Sequence, residues 1–265
     1  MLNQMMDSSD FALVVDAGGF SKGYGRSAQL QTEFLLKGMS MLNYDCVNLA
    51  TKDFSEGGEF LRIMGNKYNI NLLSSNIVYA ESNTHFTEPF YIKKIAARRS
   101  NSQPPFRKLT IGFLGLCDER AQLLHRGTEE AQLRSTDPIE AAKNVLPSLK
   151  KSADIVVLFY NGRYNTLEAL LSQVDGVDIV ILGGEYYRAE HYTGNDVIVA
   201  STPSLGKYFG TLTIELDKSK KIMSFHKNRI PLDESIADDP KLAKLVADFN
   251  SANQNLASSA HPAER

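Results

Sequence analysis

The sequence predicts an α/β domain made of two packed mixed β-sheets flanked by helices, and three features of the chain carry that expectation. From Phe11 to Tyr79, short apolar runs alternate with helix-length amphipathic stretches, the pattern of a parallel sheet with helices on it. In the middle of the chain, longer apolar runs are joined through two further helical stretches. From Asp196 onward the pattern becomes strand after strand, the mark of an antiparallel ending.

Taken in order, Phe11–Val15 is apolar and ends in two β-branched residues, which favours a strand. A glycine-rich turn follows. Ser27–Leu42 then has Leu30, Phe34, Leu35 and Met39 at helical spacing. Cys46–Leu49 is the next strand, Gly57–Tyr68 a helix, and Asn71–Leu73 and Asn76–Tyr79 short strands. Tyr91–Ala97 and Leu109–Leu116 read as strands on either side of a solvated basic hairpin tip within Lys93–Lys108. The polar insertion Cys117–Asp137, with Arg120, Arg126 and Arg134, reads as a mobile surface loop. Helix Pro138–Lys150 leads to strand Ala153–Tyr160, and helix Thr166–Val174 to strand Val177–Leu182. Val197–Ala200, Tyr208–Leu216 and Lys221–His226 complete the strands. Pro240 opens a helix with Leu242, Leu245, Val246 and Phe249 on one face, and Asn250–Arg265 has the small, polar composition of a flexible tail. The expected division is a domain over 11–236 and a C-terminal helix with tail over 237–265.

Composition excludes several function classes. A formal charge of −2 gives no reason to expect nucleic-acid binding, and no apolar run is long enough to span a bilayer. Met1–Asp10 lacks the basic start and apolar stretch of a signal peptide. Cys46 and Cys117 sit in apolar runs and read as buried, inert thiols. His85, His125 and His226 are scattered and read as ordinary loop or strand residues.

Asp16-Ala17-Gly18-Gly19 ends a strand in glycines before a helix, an arrangement that can cradle an anion on backbone N–H groups. It is not a Walker loop, because Tyr24 stands where lysine should follow Gly23. Gly23-Tyr24-Gly25-Arg26-Ser27-Ala28 matches GxGxxA in form, but it begins well past the strand, and no acidic residue closes the next one.

Several segments in a fixed order resemble the secreted 5′-nucleotidase and UDP-sugar hydrolase family. Leu13–Gly19 is similar to its hydrophobic-Asp-Ala-Gly-Asp strand, and Tyr44–Phe54 to its Gly-Tyr-Asp-Ala … Leu-Gly-Asn-His-Glu-Phe segment. Ser75-Asn76-Ile77 resembles Ala-Asn-Ile, Val177–Gly184 resembles the strand before His-Ser-His, and Gly206–Gly210 resembles Gly-Lys-Tyr-Leu-Gly. The resemblance covers about residues 11–250 and implies a metallophosphoesterase-like four-layer sandwich. It also implies two divalent metals that activate a hydroxide for attack on a phosphoryl group, and a periplasmic or secreted location.

The ligands themselves do not carry over. The family's bridging aspartate falls on Gly19, and its Asn-His pair on Thr51-Lys52. Its Thr-His histidine falls on Tyr160, beside Asn161, and its His-Ser-His histidines on Glu185 and Tyr187. The family's first ligand strand, Asp-x-His, has no counterpart before Phe11. The expected vestigial pocket is therefore Asp16, Gly19, Thr51, Lys52, Asp53, Tyr160, Asn161, Glu185 and Tyr187. It holds no metal or other cofactor, and Glu185 is the best remaining ligand.

Three functions compete on this reading. The first is an inactive binding or assembly module, in which Lys52 neutralises the pocket by pairing with Glu185 or Asp53. The second is a hydrolase with a single-metal site rebuilt from Asp16, Asp53, Glu185 and His191. The third is a small-anion binder using Lys52 and the Gly18-Gly19 turn. Ala257-Ser258-Ser259-Ala260-His261 has the CxxCH spacing of a haem attachment motif without its thiols, which reads first as a chance match in an alanine- and serine-rich tail; the sequence does not identify a partner, and another protein domain or a cytochrome segment are the candidates.

Overall fold

The computed structural model describes residues 1–98, 106–118, 132–184, 196–203 and 205–260, with side chains to 258. Helix α1 (Leu2–Asp7) precedes strand β1 (Val15–Asp16), helix α2 (Arg26–Met41) and strand β2 (Cys46–Asn48). A 3-10 turn (Thr51–Glu56) runs into α3 (Gly58–Tyr68), then β3 (Leu72–Leu73) and β4 (Ile77–Tyr79). Next come β5 (Tyr91–Ala96), β6 (Lys108–Cys117), β7 (Leu133–Ser135), α4 (Pro138–Ser152), β8 (Ile155–Gly162) and α5 (Tyr164–Leu171). Strands β9 (Ile179–Gly184), β10 (Ile198–Ser201), β11 (Tyr208–Leu216) and β12 (Ile222–Pro231) precede α6 (Pro240–Ala260).

The central sheet has the order β10-β9-β8-β6-β5, parallel except for β5, which pairs antiparallel with β6. Strict alternation along β8 divides its side chains between two cores. Val156, Leu158 and Tyr160 face α4 and α5, with Leu146, Leu149, Leu167 and Leu170. Ile155, Val157 and Phe159 face a second layer formed by β1-β2-β3 and the β11-β12 hairpin. Leu36 and Met39 of α2 cover the far side of β2 against Val47, which completes the four-layer sandwich.

One device recurs at the strand starts. Asp45, Asp154 and Asp178 each stand immediately before or at the mouth of a parallel strand. Their carboxylates accept the N–H of Val14 (2.7 Å), Thr110 (2.8 Å) and Val156 (2.7 Å), respectively. Each also donates its own N–H to the carbonyl of that same neighbour, at 2.7, 2.8 and 3.0 Å. Lys93 pairs with Asp45 at 2.5 Å and Lys220 with Asp154 at 2.7 Å, so two of the three carboxylates are also ion-paired. Lys93 is therefore an inter-layer tie and not part of a solvated tip. The tip itself lies outside the described residues.

Four sequence expectations need correction. The buried face of α2 is Ala28, Thr32, Leu36 and Met39, while Leu35 is exposed. The expected face was out of phase because α2 is covered on two sides: Phe34 meets Phe249 of α6 edge to face at 5.6 Å. The expected tail after Asn250 is helical through Ala260, since its Ala, Gln and Leu residues are good helix formers and Asn253 accepts a hydrogen bond from Ser27 at 2.6 Å. Val246, expected on the buried stripe, is 57% exposed; Leu245 is the residue that packs on α2, beside Gly38. Arg134, read as part of a mobile loop, lies in β7 and donates to Asn83. Leu245→Ala is expected to destabilise the domain by about 2 kcal/mol by leaving a cavity at the α2–α6 seam. Urea denaturation followed by circular dichroism measures this.

Candidate functional site

The C-terminal ends of β1, β2, β8 and β9 converge, as open α/β sheets place their sites. Gly18 and Gly19 follow β1 with φ of +83° and +81°, the left-handed region that a side chain disfavours. Space is equally restrictive. A Cβ on Gly18 would lie 2.6 Å from the Asn48 carbonyl oxygen, and one on Gly19 would lie 2.6 Å from Cε of Lys52. Gly183 of β9 touches the same group: a Cβ there would lie 2.7 Å from Nδ2 of Asn161. The glycines are thus what allows Lys52 and Asn161 to close over the turn.

Two asparagine amides bridge the layers. Asn161, on β8, donates Nδ2 to the carbonyls of Gly18 (2.8 Å) and Ala17 (3.3 Å). Asn48, on β2, donates to Ala17 (3.0 Å) and to Leu116 of β6 (3.3 Å). Asp53 fixes the turn from the other side. Its Oδ2 accepts the N–H of Gly19 (2.6 Å) and of Ala50 (2.9 Å), and its Oδ1 accepts that of Ser21 (2.8 Å). Glu56, three residues on and so on the same face of the 3-10 turn, accepts the N–H of Gly25. The N–H of Gly18 goes to Asp16 at 2.7 Å. The N–H groups of Gly18, Gly19, Ser21 and Gly25 thus already meet carboxylates, which removes the anion cradle that the glycines suggest.

Burial dominates the electrostatics. Asp53 is 1% exposed, and desolvation pushes its pKa up to about 6 against the pull of its three N–H donors, with the nearby Asp16 charge adding to the rise. Desolvation also raises Asp16, opposed by the Gly18 hydrogen bond and by the charge of Lys52. Tyr44, half-buried near Asp16, is pushed up to about 12, chiefly by desolvation. Lys52 itself is exposed. Asp53 is not its partner, contrary to expectation, because the Asp53 carboxylate is spent on backbone donors. The alternative partner, Glu185, lies outside the described residues with Tyr187 and His191.

Tyr160 does not join this pocket. It turns to the opposite face of the sheet, fully buried, and donates its hydroxyl to Asp118 at 2.6 Å. The strand period of two explains the correction: Asn161, one residue on, is the side chain that faces the site. Asp118 also accepts from Thr166 (2.8 Å) and from the Arg163 backbone and guanidinium (both 3.1 Å). These hydrogen bonds hold its carboxyl below the ordinary range despite burial. Thr51 opens the 3-10 turn next to Lys52, half-buried. Asn48 and Asp118 were missed in the sequence, although each is a polar residue in or just after a continuous apolar run, which is itself a signal of a buried hydrogen-bonded role.

No family model matches the chain. It is 22% identical over 215 residues to the trifunctional nucleotide phosphoesterase protein YfkN of Bacillus subtilis, covering 71% of this chain and 14% of that protein. It is 24% identical over 281 residues to the 5′-nucleotidase of Bos taurus, covering 94% of this chain and 45% of that protein. The chain therefore spans less than half the length of either relative. Among solved structures, the calcineurin-like phosphoesterase YfkN from Bacillus subtilis superposes with a TM-score of 0.76 at 16% identity, covering 96% of this chain and 87% of the other.

A proton on Asp53 is bound more tightly in the folded protein than in the unfolded chain, where the ordinary value is 3.8. Its contribution to stability is therefore full below about pH 4 and is lost as pH rises through about 6. Asp53→Asn is expected to remove a fall in unfolding free energy on the order of 2–3 kcal/mol across this range. Urea denaturation of both proteins at several pH values between these limits isolates the slope as their difference.

Proposed function

We propose, for a chain that has the calcineurin-like phosphoesterase fold and resembles the 5′-nucleotidases in sequence, that the metal centre has given way to an internal hydrogen-bonded brace. On this reading the domain is not a catalyst and serves as a binding or assembly module for another protein domain. The observation that carries it is the contact between Gly19 and Lys52. A carboxylate at position 19 would put its Cβ 2.6 Å from the Lys52 stem, which would have to swing away, and would hold a side chain at a left-handed φ of +81°, which a moved lysine does not relieve.

The residues present do not fit two divalent cations. Such a pair needs a bridging carboxylate and several imidazoles around an open coordination position. Among the described residues, no group of three or more His, Cys, Asp or Glu side chains is close enough together to hold a metal ion. Three of the lone-pair positions of the Asp53 carboxylate already accept backbone N–H groups, so turning it toward a cation would leave buried donors unpaired. The same cost weighs against a single-metal site rebuilt from Asp16, Asp53, Glu185 and His191. An anion site on the Gly18-Gly19 turn is disfavoured because the turn's donors are already used. No helix among the described residues is long and apolar enough to cross a membrane. We place the module outside the cytoplasm on the strength of the family resemblance.

Purified protein equilibrated with zinc, manganese or cobalt and then desalted is expected to retain no stoichiometric metal. It should show no metal-stimulated hydrolysis of AMP or of p-nitrophenyl phosphate. One tightly held metal per chain, lost on Glu185→Gln, would favour the hydrolase instead. Lys52→His is expected to leave the protein inactive, since restoring one acid–base group does not restore the ligands; a working Lys52→His phosphatase would overturn the proposal.

A further inference from the structure

We draw no further inference here: the strongest candidate, the buried Glu56 carboxylate on Gly25 at the N-terminus of α2, has one oxygen without a hydrogen-bond partner, but that oxygen is closed to solvent and nothing in the structure shows what reaches it.

Discussion

Three backbone N–H groups from two different loops end on one buried carboxylate, that of Asp53, and the geometry of the site follows from it. Gly19 and Ser21 belong to the turn after β1, and Ala50 to the turn after β2. Buried donors must be satisfied, so the carboxylate fixes the spacing of these turns as firmly as a short crosslink would. Lys52 precedes Asp53 in the same 3-10 turn, so its stem is delivered across Gly19. The turn and its glycines are held by Asp53 and Asn161, and the Lys52 stem lies over them.

The two layers are tied directly. Asn161 reaches from the central sheet to the Gly18 carbonyl, and Asn48 reaches from the facing layer to Leu116. Each such bond contributes about 1 kcal/mol net, but leaving its buried partners unmatched costs more. On the far face of the central sheet, Asp118 gathers Tyr160, Arg163 and Thr166 and so ties the end of β8 to the start of α5. The strand ends, where open α/β sheets place their sites, are held here from both faces by hydrogen bonds within the chain.

Much of this was legible in the sequence where a single physical cause acts on a residue. The apolar runs located the long central strands β6 and β8, because a strand buried on both faces has no other way to look. The β7 strand, the α2 face and the helical end of the chain were not legible, because each depends on what packs against it. Leu35 and Leu36 are adjacent and alike, and only the position of β2, whose Val47 is covered by Leu36, decides which is buried. Gly19, Lys52 and Asn161 were named together from the sequence, and the structure brings them into contact. Tyr160 was assigned to the wrong face because an alignment of motifs tolerates a one-residue slip that a strand does not. The role of Asp53 was half-visible: a carboxylate at the third position of a turn suggests a cap, but its reach to Gly19 and Ser21 is a long-range contact that no local pattern encodes.

The central claim is that hydrogen bonds within the chain occupy the space and the donors that a metal centre would need. Anomalous diffraction from crystals grown with excess manganese tests this most directly, because it locates any cation and the side chains around it in one experiment. The account predicts no anomalous peak among Asp16, Gly19, Lys52 and Asn161, with Asp53 still bonded to Gly19, Ser21 and Ala50. A manganese peak at full occupancy there, with the Asp53 carboxylate turned from its backbone donors to the metal, would contradict it.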